Sequence, residues 1–250
     1  MTRGTAIVTG GAGNIGLAIA TALRDDGWSV RIVDRAQALD GFTAPEGLHA
    51  DALDVTDAAA CRAYFASLEE LSVLVNCAGI AQLGLVRDLS EDDWDAVLDV
   101  NLTAPFRLTQ LAVDLLVRSG HGSIVNITSI AGQRASFGRV AYGVSKAGLL
   151  QLTRQTAVEY APLGVRCNSV SPGPVNSELA RAKLTAEALA EYLDDIPEKR
   201  LAEPEEIARA VVFLASPTST HITGQDIAVD GGFLAGGAGI RQAQRLGERR

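Results

Sequence analysis

Thr5-Ala6-Ile7-Val8-Thr9-Gly10-Gly11-Ala12-Gly13-Asn14-Ile15-Gly16 passes from an apolar, β-branched run into a glycine-punctuated loop, after which a helical pattern runs from Leu17 to Leu23. Strand, glycine loop and helix in that order form a phosphate cradle. The backbone must approach a pyrophosphate with no Cβ in the way, at a helix N-terminus whose free N–H groups and dipole favour negative charge. Glycines also make plain tight turns, so the following strand has to add weight. That strand, Ser29-Val30-Arg31-Ile32-Val33, ends in Asp34, at the interval where an acidic side chain accepts hydrogen bonds from an adenosine ribose. A carboxylate there repels a 2′-phosphate, so the pattern predicts NAD over NADP. Arg35 argues the other way, but the loop carries no basic residue to help it. The plainer reading of Asp34 is a strand-end turn residue.

The same alternation continues down the chain. Ala36 to Gly47 lacks a helical stripe, so a short or irregular crossover is expected. Leu48 to Asp51 reads as a brief strand. Asp54-Val55-Thr56-Asp57 supplies capping chemistry for a helix over Ala58 to Leu68, and Asp54 could reach an adenine amino group. Val73-Leu74-Val75 ends at Asn76-Cys77-Ala78-Gly79, where small residues let backbone pass close to a ligand or a neighbouring strand. Asn76 is expected to tie adjacent loops, and Cys77 to be packed rather than reactive. Ser90-Glu91-Asp92-Asp93 caps a helix carrying Trp94, Val97, Leu98 and Val100. Asn101 interrupts that apolar face and marks a local polar network, and Pro105 kinks or restarts the helix. Ser123 to Ser129 is a strand ending in a hydroxyl pair. Val165 to Ser171 is another, leading into Pro172-Gly173-Pro174-Val175-Asn176-Ser177. Ser177 to Ile196 is helix-like and suits a cover over a crevice. Ile207 to Ala215 is the last long helix and Asp226 to Val229 the last strand.

Tyr142-Gly143-Val144-Ser145-Lys146 lies in a helix that runs on to Tyr160. A tyrosine and a lysine four apart share one helix face. A free phenol, with pKa about 10, is a poor base at neutral pH, and a nearby cation favours the phenolate. Tyr142 is therefore the candidate general acid/base and Lys146 its tuning cation. Alone, so short a pattern equally describes a helix with one aromatic and one solvated lysine. Ser129, at the carboxyl end of its strand, faces the same crevice and is suited to donate a hydrogen bond to a substrate oxygen; otherwise it is a turn former.

Over 250 residues, 47% hydrophobic and 21% charged, the composition is that of a globular chain with one sizeable core. A net charge of −8 gives no general attraction to nucleic acid or anionic membrane. Cys61, Cys77 and Cys167 are widely separated and lack a histidine cluster, which predicts neither disulfides nor a metal site and fits a reducing cytoplasm. Met1-Thr2-Arg3-Gly4 enters an apolar strand at once, so no export signal is expected, and no stretch is apolar for the thickness of a bilayer.

These pieces together resemble the short-chain dehydrogenase/reductase family, in its branch of about 250 residues, over nearly the whole chain from Thr5 to Gly232. The matching residues are Thr9-Gly10 through Gly16, Asp34, Asp54-Val55, Asn76 to Gly79, Asn101, Ser129, Tyr142 with Lys146, Pro172-Gly173, and Ile222 to Gln225 leading to Asp230-Gly231-Gly232. Two positions depart: Asn14 stands where the family commonly has glycine, and Cys77 where it has asparagine. Asparagine tolerates a left-handed backbone, which would let the loop form. The spacing of that loop is also similar to a longer sugar-nucleotide epimerase and dehydratase branch, whose larger C-terminal region has no room after Val170.

The resemblance implies an α/β fold: a doubly wound Rossmann parallel sheet, helices on both faces, one domain over residues 1–250, with 177–200 as substrate cover and 233–250 as a C-terminal tail. It implies Tyr142 as acid/base, Lys146 holding the nicotinamide ribose and lowering the phenol's pKa, Ser129 positioning the substrate oxygen, and Asn101 holding a water that links Lys146 to solvent. It implies NAD lying over Gly10, Gly13, Asn14, Ile15, Gly16, Asp34, Asp54, Val55, Asn76, Ala78, Gly79, Tyr142, Lys146, Pro172, Gly173, Val175 and Ser177. The expected activity is NAD-dependent hydride transfer on a secondary alcohol or ketone of polyol, sugar or hydroxy-acid type, in a cytoplasmic homotetramer or homodimer. The alternatives are an NADPH-dependent ketoreductase such as a 3-oxoacyl reductase, and a catalytically idle dinucleotide-binding regulator. Ala81, Gln82, Ala131, Gln133, Phe137, Pro174 and Leu179 are expected near the substrate by topology, and Arg134 and Arg139 could attract an anionic group or simply be solvated.

Overall fold

A computed structural model describes residues 3–176 and 186–237. Its elements are β1 (Thr5–Thr9), α1 (Asn14–Asp25), β2 (Ser29–Asp34), α2 (Ala36–Leu39), β3 (Leu48–Ala52), α3 (Ala58–Ala66), β4 (Val73–Asn76) and α4 (Glu91–Leu98). A π-helical turn (Asp99–Thr103) leads into α5 (Ala104–Arg118), β5 (Ser123–Ile127), α6 (Val140–Tyr160), β6 (Arg166–Pro172), α7 (Ala186–Asp195), α8 (Pro204–Ala215) and β7 (Asp226–Val229). The strands form one parallel sheet in the order β3-β2-β1-β4-β5-β6-β7. Strand order reverses between β1 and β4, and that switch point opens the crevice at the carboxyl edge where such sheets bind ligands.

Alternation along each strand feeds two cores. Ala6 and Val8 of β1 pack with Ile19 and Leu23 of α1 and with Ile207, Val211 and Leu214 of α8. Ile7, between them, faces the opposite layer of Leu74, Leu108, Leu116 and Ile124. With both faces covered, the central strands β1 and β4 are buried on both sides and read as short hydrophobic runs, whereas the edge strand β3 (Leu48-His49-Ala50-Asp51-Ala52) is largely exposed. Each fully buried side chain of this size contributes about 2 kcal/mol, so the sheet is a rigid base for whatever its carboxyl edge carries.

Helix starts follow capping chemistry. Asp57 accepts from the Ala59 and Ala60 amides at α3, Ser90 from Asp93 at α4, and Glu203 and Glu206 form a reciprocal capping box at α8. No side chain caps α1, and its first turn holds no acidic residue. Pro105 lacks an N–H, so the carbonyl of Asn101 loses its usual partner, and the ladder shifts to a π bond from the Ala104 amide to the Asp99 carbonyl. The widened turn carries Asn101 inward, fully buried.

The reading of Asn14 needs correction. It adopts no left-handed backbone but is the first residue of α1; among the described residues, the non-glycine positions with positive φ are Lys199 and His221. Gly10, at φ 65°, is the loop position that turns left-handed. Helix α3 stops at Ala66, two residues short of the expected Leu68, and the crossover before β3 holds only the single turn α2. Ser177 and Leu179 lie outside the described residues, as do 177–185 of the expected cover and 238–250 of the tail.

Candidate active site

The glycine loop is held from three sides. The Gly10 amide bonds to the Val33 carbonyl at 2.8 Å, and the Gly13 amide to the Gly10 carbonyl at 3.2 Å. The Thr9 hydroxyl accepts from the Cys77 and Ala78 amides at 3.0 and 3.1 Å, tying the loops after β1 and β4 together. A Cβ on Gly10 would meet the Ala78 backbone at 2.7 Å, and one on Gly16 would overlap the Gly10 carbonyl. Only glycine fits either place. Asp34 closes the third side: its Oδ2 accepts from the Ala12 amide at 3.1 Å and its Oδ1 from the Arg35 amide at 2.9 Å. A carboxylate has about four lone-pair sites, so two remain for further donors.

The other expected dinucleotide residues border the same crevice or the loops that support it. Asp54 accepts from the Thr56 amide and hydroxyl at 2.9 and 2.7 Å, and these bonds hold its carboxyl below the usual range. The Val55 carbonyl takes a 3.0 Å bond from Arg107. Asn76 is buried and donates to Asn126 of β5 at 2.8 Å, while its own Oδ1 has no protein partner. The expected tie is thus to the neighbouring strand, and the bare oxygen is a polar atom that a ligand can satisfy. Gly173 follows Pro172 at the end of β6, its amide bonded to the Val229 carbonyl at 2.9 Å, and Val175 forms a bridge with Ala202. The uncapped start of α1, the glycine backbone, the half-satisfied Asp34 carboxylate and the bare Asn76 oxygen fit an adenine dinucleotide.

Ser129, Tyr142 and Lys146 come together as the spacing requires. The Ser129 hydroxyl is near enough to the Tyr142 phenol to act on its pKa, favouring the ionised form. The Lys146 ammonium lies 5.7 Å from the Tyr142 ring centroid and donates to the Ile127 carbonyl at 2.7 Å. A Cβ on Gly79 would sit 3.5 Å from that ammonium and 3.4 Å from Asn101 Oδ1, so Gly79 leaves the space between them open. Asn101 does more than mark a network: it accepts from the Ile80 amide and donates to the Ile80 carbonyl, both at 2.9 Å, and donates to Ser145 at 3.1 Å. Ser145 in turn donates to the Tyr142 carbonyl at 2.8 Å. Asn101 therefore staples the loop after β4 to the helix carrying Tyr142.

One electrostatic expectation is not met by the chain's own residues. Desolvation raises the Tyr142 pKa, opposed by the Ser129 hydroxyl and the charge of Arg139, and Lys146 is not among the groups that lower it. Burial pushes Lys146 itself down to about 8, which weakens it as a fixed positive charge. The cation that acts on the phenol is Arg139, whose guanidinium carbon lies 5.9 Å from the Tyr142 ring centroid. Arg134 stacks instead on Phe233, at 5.4 Å. Cys77 is packed as expected, its thiol pushed up to about 12 by desolvation.

Sequence reasoning missed Thr9 and Ser145 as supports. The signal for Thr9 was a hydroxyl immediately before the loop glycine; Ser145 had none, since it touches Asn101 across 44 positions of chain. Among the described residues there is no cluster able to hold a metal and no helix long and apolar enough to cross a membrane.

Comparison with known proteins agrees with this geometry. The family model described as "Enoyl-(Acyl carrier protein) reductase" matches residues 10–234. The chain is 39% identical to the (3R)-3-hydroxyacyl-CoA dehydrogenase of Canis lupus familiaris, over 91% of this chain and 95% of that protein. It is 38% identical to the acetoacetyl-CoA reductase of Cupriavidus necator, over 94% and 100% respectively. The crystal structure of a putative gluconate dehydrogenase from Agrobacterium tumefaciens superposes with a TM-score of 0.88 at 32% identity, covering 94% of this chain and 97% of that one. With its sheet order, its glycine loop and its Ser129, Tyr142 and Lys146 grouping, the chain belongs to the short-chain dehydrogenase/reductase family.

Proposed function

We propose that this oxidoreductase interconverts a secondary alcohol and a ketone with NAD(H), on a 3-hydroxyacyl or related hydroxy-acid substrate. The observation that carries the proposal is the grouping of the Tyr142 phenol, the Ser129 hydroxyl beside it and the Lys146 ammonium 5.7 Å from the phenol ring. Such a hydroxyl pair receives one oxygen: Ser129 donates to it and fixes its position, while Tyr142 exchanges its proton. In oxidation Tyr142 takes the proton from the substrate hydroxyl, and in reduction it returns it. When bound, the nicotinamide supplies the hydride acceptor or donor. Lys146 has three N–H donors, one of them spent on the Ile127 carbonyl, and the others are suited to the nicotinamide ribose. Asn101 orients the helix that carries both groups.

Asp34 supports NAD, because its carboxylate accepts from ribose hydroxyls and opposes a 2′-phosphate. The 3-hydroxyacyl substrate class is favoured by the hydroxyacyl and acetoacetyl thioester enzymes among the relatives. The second reading, an NADPH-dependent ketoreductase, is favoured by Arg35, which is exposed directly after Asp34. Residues 177–200 as substrate cover and 233–250 as tail belong to the same proposal. So does assembly as a homodimer or homotetramer, supported by Phe106 on α5 and Val144 and Val158 on α6, which turn apolar side chains outward and are read out by gel filtration with light scattering. The activity test follows NADH absorbance with acetoacetyl-CoA and a panel of secondary alcohols, repeated with NADPH. Turnover with NADH exceeding that with NADPH is expected; no turnover on any member overturns the activity, and preference for NADPH overturns the cofactor assignment.

A further inference from the structure

Ser129 sits in a short turn. Its hydroxyl accepts from the Ala131 amide at 3.1 Å, its carbonyl from the Gly132 amide at 2.9 Å, and a 3-10 turn over Ile130–Gly132 runs to Gln133. These bonds shape the turn from within, and its ends are held to the sheet from outside: the Thr128 amide bonds to the Val170 carbonyl at 2.8 Å. On one side of Ser129 stands Thr128, and on the other Gln133. Both reach the same carboxylate, Asp226, the first residue of the outermost strand β7.

The contacts are dense. The Gln133 amide nitrogen donates to Asp226 Oδ2 at 2.8 Å and to the Ser171 hydroxyl at 3.2 Å. Asp226 Oδ1 accepts from Ser169 at 2.5 Å and from Ser171 at 2.9 Å. The Thr128 hydroxyl lies 2.8 Å from that of Ser171, 3.3 Å from Asp226 Oδ1 and 2.9 Å from the Val170 carbonyl, so its one proton has three acceptors to choose among. Thr128, Ser169 and Ser171 are buried. Polar groups there must be satisfied or they cost stability, and a filled network is rigid. Nothing in the dinucleotide cradle requires a carboxylate at this position, and the mechanism above does not use it.

We propose that Asp226 is a positioning residue: it clamps the Thr128–Gln133 turn at both ends and thereby fixes the Ser129 hydroxyl against Tyr142. The functional half of this inference rests on the activity proposed above; the structural half does not. A carboxylate accepts at both ends, taking the serine hydroxyl protons on one oxygen and the Gln133 amide proton on the other. Asparagine has the same shape but carries N–H donors on one side and no charge, so one end of the network must reverse its bonds and both ends lose charge assistance.

The test uses Asp226→Asn, Ser129→Ala and the double variant of the full chain, with acetoacetyl-CoA and NADH as probes. Asp226→Asn is expected to lower kcat about ten-fold, the effect of a sub-ångström misplacement of a reacting group, with KM for NADH within about two-fold of wild type. In the Ser129→Ala background the same substitution is expected to change kcat little, since the residue it positions is gone. A full loss repeated in that background, or an unchanged kcat in the single variant, overturns the proposal. Hydrogen exchange decides the clamp without any substrate: the Ala131, Gly132 and Gln133 amides are expected to exchange faster in Asp226→Asn while the β5 amides hold. Unchanged exchange at those three amides overturns the clamp. Wild-type protein that turns over no probe instead sinks the activity, and the exchange result still stands on its own.

Discussion

Replacing Asp34 by serine isolates the residue on which the proposed preference for NAD turns. The carboxylate keeps two acceptor sites after bonding the Ala12 and Arg35 amides, and in the proposed complex they face the adenosine ribose. A hydrogen bond to a charged group contributes about 2 kcal/mol, so losing it lowers kcat/KM for NADH about 30-fold. On the other side of the balance, one phosphate charge about 5 Å from the carboxylate costs about 3 kcal/mol at an effective dielectric of about 20. Serine removes that repulsion and leaves the exposed Arg35 as the nearest charge to the phosphate in the proposed complex. Together these shift the NADH to NADPH preference by about 5 × 10³-fold, or about 10²- to 10³-fold once salt screening of the exposed side is allowed for. The assay is kcat/KM for each cofactor at saturating acetoacetyl-CoA, by absorbance. A ratio that moves less than about ten-fold would refute the reasoning, because either term alone exceeds that.

Other outcomes follow from single contacts. Arg139→Gln removes the cation that opposes desolvation of the Tyr142 phenol; the acid limb of the pH profile for alcohol oxidation is expected to move to higher pH, and an unmoved limb contradicts the assignment. Gly16→Ala puts a methyl group into the Gly10 carbonyl and 2.8 Å from Gly11 Cα; neither backbone can withdraw, so the melting temperature falls and dinucleotide binding measured by calorimetry is lost. Lys146 has its pKa lowered from 10.5 to about 8 by burial, so its ammonium opposes folding below pH 8 and this penalty fades as pH rises toward 10.5. Lys146→Met is therefore expected to inactivate the enzyme while raising its stability near pH 7 by about 1–2 kcal/mol, after the lost bond to the Ile127 carbonyl is subtracted. Calorimetry at pH 7 and pH 10 checks the sign: the advantage of methionine must shrink at the higher pH.

Much of the site is legible in the sequence because its parts are local. Strand, glycine loop and helix are consecutive, Asp34 ends the adjoining strand, and Tyr142 and Lys146 share a helix face, so short-range periodicity places each of them. What stays hidden depends on residues brought together from afar. Asp226 reads as the start of a strand, and only the pairing of β6 with β7 sets it beside Ser169, 57 positions away. Asn101 looks like a break in an apolar face, and the π turn forced by Pro105 is what makes it a staple. The phenol's acidity was the least legible feature: helical spacing brings Lys146 near Tyr142, but desolvation of both groups decides their pKa values, and burial cannot be read from a four-residue interval. Asn14 shows the converse, where a departure from the family pattern asks for no special conformation because the position is already helical.

The central claim is that the Tyr142 hydroxyl carries the proton that moves as the hydride does. The most direct measurement is kcat of Tyr142→Phe with acetoacetyl-CoA and NADH, alongside NADH affinity by fluorescence titration. A fall of about 10²- to 10⁴-fold in kcat with NADH binding retained is expected for loss of a positioned acid/base. Turnover equal to wild type, with the ring in place and its hydroxyl gone, would contradict the account.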